Sequence, residues 1–349
     1  MTAAVPTAVP TAVPAAATTR AAIPGFDPEF RDLDHYIRSI TDRIWEGRRL
    51  DDIRRYYSPD CAVQTPSGVS LGVQAVIDGT RATLLAFPDR RLLAEDVLIS
   101  GDAQTGFLSS HRIFSPMTHA GPGAFGPPSF KPVFARTVAD CVCIHNRIVH
   151  EWLVRDQGAI ARQTGQHERD VAQRWLDARH GQAQPAMPSA PGGYRSFIDP
   201  APQAAAYALS LRAVWQGAGP GALADTHGSE VISALPGGQV SVGLTALQRF
   251  WDSLLAALHA ESFKVEHLVA NQRPGRATAI ALRWRAQTRH GGAGRYGPAS
   301  GRPVEVMGIC HAEVEHGRVQ REWVLIDEVA LWMQVLQPRP RSALESSHA

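Results

Sequence analysis

The sequence lacks a cysteine framework, a run of basic residues and any apolar stretch of membrane-spanning length. Its four cysteines are scattered and read as reduced thiols of a cytoplasmic protein. Cys141 and Cys143, two residues apart, fall on one face of a strand rather than in a CxxC turn. No histidine or second cysteine pair stands at ligand spacing, so no metal is expected. The formal net charge of +2 comes from interspersed acids and bases without a basic-aromatic stripe, which argues against nucleic acid as a partner. A membrane partner is not expected either. The N-terminal MTAAVPTAVPTAVPAAATTRAA has no basic n-region, and its prolines interrupt any apolar helix. Residues 1–28 read as a disordered Ala/Pro-rich tail, and a second disordered tail is expected over 338–349.

What is present is a soluble globular composition, 44% hydrophobic and 19% charged, spread over 349 residues. That length exceeds one ordinary core and suits two domains. The chain also repeats itself. FGPPSFKPV at Phe125–Val133 is answered by YGPASGRPV at Tyr296–Val304, an offset of 171 residues. The same offset aligns Arg112 with Arg283, His119 with His290, Trp152 with Trp323 and Asp156 with Asp327, without a gap. Upstream, IWEG at Ile44–Gly47 answers VWQG at Val214–Gly217 with a one-residue shift. Copies of roughly 130 residues are too long for a solenoid unit, so the repeat is a duplicated domain.

Each copy opens with an amphipathic helix, over Asp32–Glu46 and Gln203–Gln216. A second short helix, a turn such as Ser58–Asp60, a strand, and a helix after Gly72 or Gly243 follow. Strands are predicted over Arg91–Ser100, Gly106–Phe114, Val133–His145 and Arg147–Arg155. Copy two predicts Phe263–Ala270, Ala277–Thr288, Pro303–Glu315 and Arg318–Leu325. His145–Arg147 and His316–Arg318 are tight hairpin turns, with Asn146 or Gly317 supplying a positive φ. Helices followed by an antiparallel sheet make each copy α+β. Residues 164–202 read as a linker with a short helix over His167–Arg179 and a Pro/Ala/Gly-rich stretch.

AFPDRRLLAEDVLISGD at Ala86–Asp102, with the downstream R-x6-H-x7-P, Gly-Pro loop and EW-x3-D, resembles the SnoaL-like polyketide cyclases of the NTF2-like superfamily. The resemblance spans about Asp32–Gln163 and Ala204–Val335; copy two lacks the FPD. It implies two cone-shaped domains, 29–163 and 203–337, each a curved antiparallel sheet packed on N-terminal helices around an apolar pocket. It further implies a cyclase, isomerase or dehydratase that moves protons on a hydrophobic, polyketide-like carbonyl compound without cofactor. A carboxylate on the strand after the Gly-Pro loop and a nearby histidine serve as acid and base in such enzymes. The other reading is a non-catalytic NTF2-like module that binds a ligand or a protein. The tandem then supplies within one chain the pairing of an NTF2-like dimer, and a homodimer is the alternative.

The candidate residues follow from that frame. His119 and His290 precede the loop and suit a base near neutrality, or else cap a turn. At the expected acid position copy one has Val133 and Phe134, whereas copy two has Glu305. The catalytic pair is therefore expected in copy two, as His290 with Glu305, unless Glu305 is a solvated strand residue. In copy one Asp140, sharing a strand face with Arg136, is the second candidate base; His311 takes its place in copy two. Arg112 and Arg283 are candidate carbonyl or carboxylate binders, or outward strand residues paired with acids. Trp152 and Trp323 are candidate ligand surfaces or core residues, with Glu151 and Glu322 pointing the opposite way. Asp156 and Asp327 read as helix caps.

Overall fold

The computed structural model describes residues 23–179, 194–292 and 294–337. Residues 1–22, 180–193, 293 and 338–349 lie outside it, and with them most of both expected tails and the Pro/Ala/Gly-rich stretch. Ile23 and Phe26, assigned by sequence to the first tail, instead belong to the core. The Phe26 ring packs edge-on against Tyr36 and Phe107 at 4.9 and 5.7 Å.

In the first domain α1 (Leu33–Thr41) starts at Asp32, whose carboxylate accepts the His35 N–H at 2.8 Å. A π-helical turn continues it over Asp42–Glu46, and α2 (Ile53–Tyr56) leads into β1 (Tyr57–Thr65) and β2 (Gly68–Leu71). Helix α3 (Val73–Ala86) follows Gly72, whose φ of 84° lies where a side chain is strained. Then come β3 (Leu93–Asp102), β4 (Gly106–Thr118), β5 (Pro132–Ile144), β6 (Arg147–Arg155), α4 (Gln157–Thr164) and α5 (Glu168–Arg179). The second domain repeats the order with α6 (Pro202–Ala213), β7 (His227–Leu235), β8 (Gln239–Val242) and α7 (Leu244–Ala257). It closes with β9 (Leu258–Asn271), β10 (Thr278–His290), β11 (Pro303–Glu315), β12 (Arg318–Ile326) and α8 (Glu328–Leu336).

Each domain has one six-stranded sheet, ordered β2-β1-β6-β5-β4-β3 and β8-β7-β12-β11-β10-β9. Only the β1–β6 and β7–β12 pairs are parallel. Bulges at Ala94/Asp96 and Val142/Cys143 bend the first sheet so that it curls over α1 and α3. Ser58–Asp60, expected as a turn, lies within β1 beside a register shift. The β5–β6 hairpin turns through His145 and Asn146 at φ 47° and 65°, so the histidine shares the left-handed conformation that only the asparagine was expected to need.

The two sheets pack outer face to outer face. Leu108, Val138, Val142 and Val154 of the first domain meet Met307, Ile309 and Leu325 of the second in one apolar cluster. The stretch expected as a linker is packed where it is described, and its expected short helix is α5. Helix α5 lies against α8, Tyr194 packs on Trp152, and Ile198 pairs with Leu268 beside β9. Asp156 and Asp327 cap α4 and α8 as expected, accepting the Ala159 and Ala330 N–H at 2.9 and 3.1 Å. Among the described residues no helix is long and apolar enough to cross a membrane.

Candidate functional site

Strand alternation sorts the residues of β4, β5 and β6 into two faces. His111, Ile113, Ser115 and Met117 of β4 face the helices of their own domain, whereas Leu108, Ser110 and Arg112 face the second domain. On β5 the inner row is Ala135, Thr137, Ala139 and Cys141; on β6 it is Glu151, Leu153 and Arg155. Most of these side chains are short or polar, and α3 adds Ala75, Val76, Gly79, Thr80 and Thr83. The interior therefore stays open as a cavity of about 240 Å³ adjoining a second of about 180 Å³. Thr83, Arg90, Thr137 and Arg155 belong to the walls of both. The larger lobe holds the polar groups His111, Tyr57 and Glu151 among Ile37, Ile40 and Trp45. The smaller is lined by Phe87, Met117, Phe125 and Trp175, the last from α5.

Burial dominates the electrostatics of the larger lobe. Glu151 is pushed up to about 7 by loss of solvent, although the Tyr57 hydroxyl donates to its Oε2 at 3.2 Å and favours the anion. Burial drives His111 down to about 3, so its ring is neutral at physiological pH. The His111 Nε2, Thr137 Oγ1, Ser115 Oγ and Arg155 Nε are buried and have no hydrogen-bond partner in the protein. In an open cavity a ligand or water can complete them.

The second domain has the same frame with its interior filled. At the 171-residue offset Phe250, Trp251 and Leu254 replace Gly79, Thr80 and Thr83, and Trp284 replaces Ile113. Trp284 and Trp251 are fully buried and pack with Trp215 and Phe263 into one aromatic block. Gly308 stands where copy one has Thr137, and a Cβ there would come within 2.2 Å of the Trp284 ring. Leu282 and Ile326 replace His111 and Arg155, so the polar rows are gone as well. Glu322 remains, hydrogen-bonded by the Tyr207 hydroxyl at 2.5 Å.

The structure does not bring His290 and Glu305 together. Glu305 shares the outer face of β11 with Met307 and Ile309 and is paired with Arg285 and Gln287. His290 accepts the Ser300 N–H at its Nδ1 (3.3 Å), beside the Ser300 hydroxyl at 2.9 Å. His119 holds Ser129 the same way at 3.3 and 3.1 Å, so each histidine caps the Gly-Pro loop that follows it. The His119 ring also packs on Phe87, at 5.3 Å, behind the smaller lobe.

The other predicted residues meet between the domains rather than in a cone. Arg283 donates to Asp140 at 2.5 Å and lies 3.7 Å from the center of the Trp152 ring. Arg112 lies 3.5 Å from the Trp323 ring and donates to the His311 Nδ1 at 3.2 Å, while Ser110 engages the His311 Nε2 at 2.9 Å. Arg136 and Arg112 share Glu95, as Arg283 and Arg285 share Glu266. Asp140 and His311 thus occupy equivalent positions in a reciprocal interface. Glu151, His111, Arg90 and Arg155 are polar groups in the cavity walls of the first domain and were not singled out as site residues from the sequence. The available signal was the Glu-Trp pair itself: once Trp152 is outward, strand parity places Glu151 inward.

The family model of the SnoaL-like polyketide cyclases matches residues 35–164 and 205–335. Among solved structures, IdmH from Streptomyces antibioticus is 22% identical over 37% of this chain and 96% of its own, with a TM-score of 0.32. A SnoaL-like polyketide cyclase from Agrobacterium tumefaciens is 20% identical over 38% and 98%, with a TM-score of 0.32. AclR from Streptomyces galilaeus is 18% identical over 37% and 92%, with a TM-score of 0.33. No curated protein matches the chain.

Proposed function

The chain belongs to the SnoaL-like polyketide cyclase family, and from that premise we propose that its first domain performs acid/base proton transfer on a hydrophobic carbonyl compound. The observation that carries the reading is Glu151, a buried carboxylate in the wall of an open, largely apolar cavity with its pKa raised to about 7. A base poised near the working pH takes a proton from carbon and can return it, which a solvated glutamate does less well. In the proposed step a proton beside the substrate carbonyl passes to Glu151, the C–H electron pair becomes the enolate C=C bond, and the carbonyl π pair moves onto oxygen. Neutral His111, in its Nε2–H tautomer, donates to that oxygen. Isomerisation returns the proton at another carbon; cyclisation adds the enolate to a second carbonyl, whose new alkoxide takes the proton back from Glu151. The second domain, filled by Trp215, Trp251 and Trp284, acts as the packing partner of the first.

The test is hydrogen–deuterium exchange of the methyl protons of 2-acetylnaphthalene, a neutral aryl ketone, followed by NMR in D₂O. The full chain should accelerate exchange, and Glu151→Gln should lose roughly 10² to 10⁴ of that acceleration. Undiminished exchange in Glu151→Gln overturns the assignment.

A further inference from the structure

Arg90, buried, and Arg155, half-buried with its Nε out of solvent, meet at the shared wall of the two lobes. Among the described residues neither has a carboxylate within ion-pair distance, and the Arg155 Nε has no hydrogen-bond partner at all. They also repel one another, and the carboxylates that favour them, Glu46 for Arg90 and Asp327 and Glu151 for Arg155, act from beyond that distance. Buried charges are ordinarily paired because an unpaired one loses its hydration without return. The turn carrying Arg90 is nevertheless held firmly. Asp89 accepts both the N–H and the hydroxyl of Thr118 at 2.7 Å, and Arg48 donates to the carbonyls of Pro88 and Arg90 at 2.9 and 3.0 Å. The pair belongs to copy one alone, because Glu261 and Ile326 occupy the equivalent positions of the filled domain.

We propose that the ligand of the first domain is an apolar carboxylic acid whose carboxylate is gripped by Arg90 and Arg155 at the waist of the two-lobed cavity. This rests on the reading of the first cone as the functional cavity. Guanidinium forks match a carboxylate in shape and charge. With Glu151 ionised, as its role as a base requires, the two arginines and this glutamate leave a net charge of about +1, which a monoanion neutralises better than a dianion. The aromatic lining of the smaller lobe and the aliphatic lining of the larger extend to either side of the waist. The acid is therefore one that carries apolar groups on both sides of, or folded around, its carboxylate. Its reacting carbonyl then falls in the larger lobe, where Glu151 and His111 stand.

Calorimetric titration of the full chain tests this with three probes: 1-naphthylacetate, its neutral amide and 1-naphthyl phosphate. The acid should bind at least about tenfold more tightly than the amide, the scale of one charge-assisted bidentate contact. Arg90→Met and Arg155→Met should each remove that preference and leave amide binding within about twofold. Their thermal midpoints without ligand should equal or exceed that of the parent chain, since an unpaired buried charge is removed. Equal binding of acid and amide, no saturable binding of the acid, or a preference surviving in both variants overturns the proposal. Tighter binding of the phosphate ester than of the acid also overturns it and makes the site a phosphate site. A loss of several degrees in both variants marks the arginines as structural and has the same effect. Glu151→Gln should keep the preference for the acid. If its ketone exchange is undiminished while that preference persists, only the catalytic reading falls; if exchange is lost and no preference exists, only the carboxylate site falls.

Discussion

The Arg283 guanidinium lies 3.7 Å from the Trp152 ring across the domain boundary, and Arg112 repeats the contact on Trp323 at 3.5 Å with the domains exchanged. Cation and ring on opposite domains give the interface an approximate two-fold symmetry that the duplicated sequence makes available within one chain. The symmetry is broken at the residue that answers each arginine. Asp140 answers Arg283 with a charge, whereas its counterpart His311 answers Arg112 as a neutral acceptor.

That asymmetry makes the interface sensitive at Arg283. Arg283→Ala strands a fully buried Asp140 whose other oxygen already lacks a partner. A loss of about 3–5 kcal/mol is expected in urea unfolding. Arg136→Ala, which breaks a half-buried pair with Glu95, should cost less than about 1 kcal/mol.

The raised Glu151 gives stability a pH dependence of defined sign. The unfolded chain releases this proton near 4.5 and the folded chain near 7. Between those values the folded state binds more protons, so stability falls as pH rises through the window. Asp156 and Asp327, raised by burial to about 6 and about 7, act in the same direction. Thermal midpoints of Glu151→Gln measured from pH 4.5 to 7.5 should fall less steeply than those of the parent chain.

His119→Ala and His290→Ala should behave alike. Each removes a ring that holds its own Gly-Pro loop, for a cost of roughly 1–3 kcal/mol when the loop's buried groups lose their partner. Ketone exchange by the remaining folded protein should stay within a few-fold of the parent rate. A hundredfold loss in His290→Ala alone would return the chemistry to the second domain.

The second core should resist enlargement. Gly308→Ala sets a methyl group against the Trp284 ring and should destabilise the chain by about 1–3 kcal/mol. Trp284→Ala should cost roughly 3–5 kcal/mol. Both are read as shifts of the denaturation midpoint.

Much of the fold was legible because a fixed offset gives two readings of every element. The bounds of Pro303–Glu315, the hairpins at Asn146 and Gly317, and the caps Asp156 and Asp327 all follow from local chemistry that tertiary packing did not override. The site was harder to read because both faces of each sheet are buried, one against helices and one against the other domain. Alternation then separates two faces without saying which is inside. Arg112, Arg283, Trp152 and Trp323 carry the residue types of a ligand pocket, yet the same types suit a buried interface. The choice between copies was written in side-chain volume rather than in the expected acid. Gly79, Thr80 and Ile113 against Phe250, Trp251 and Trp284 distinguish an open interior from a filled one.

The central claim is that one cone of the pair is open and functional. Its most direct test is the stoichiometry of 2-acetylnaphthalene binding by calorimetry, in the parent chain and in Thr80→Trp, which gives copy one the side chain that helps fill copy two. One site per chain is predicted, abolished in Thr80→Trp while circular dichroism shows the fold retained. Two sites per chain, or a single site that survives Thr80→Trp, would contradict the account.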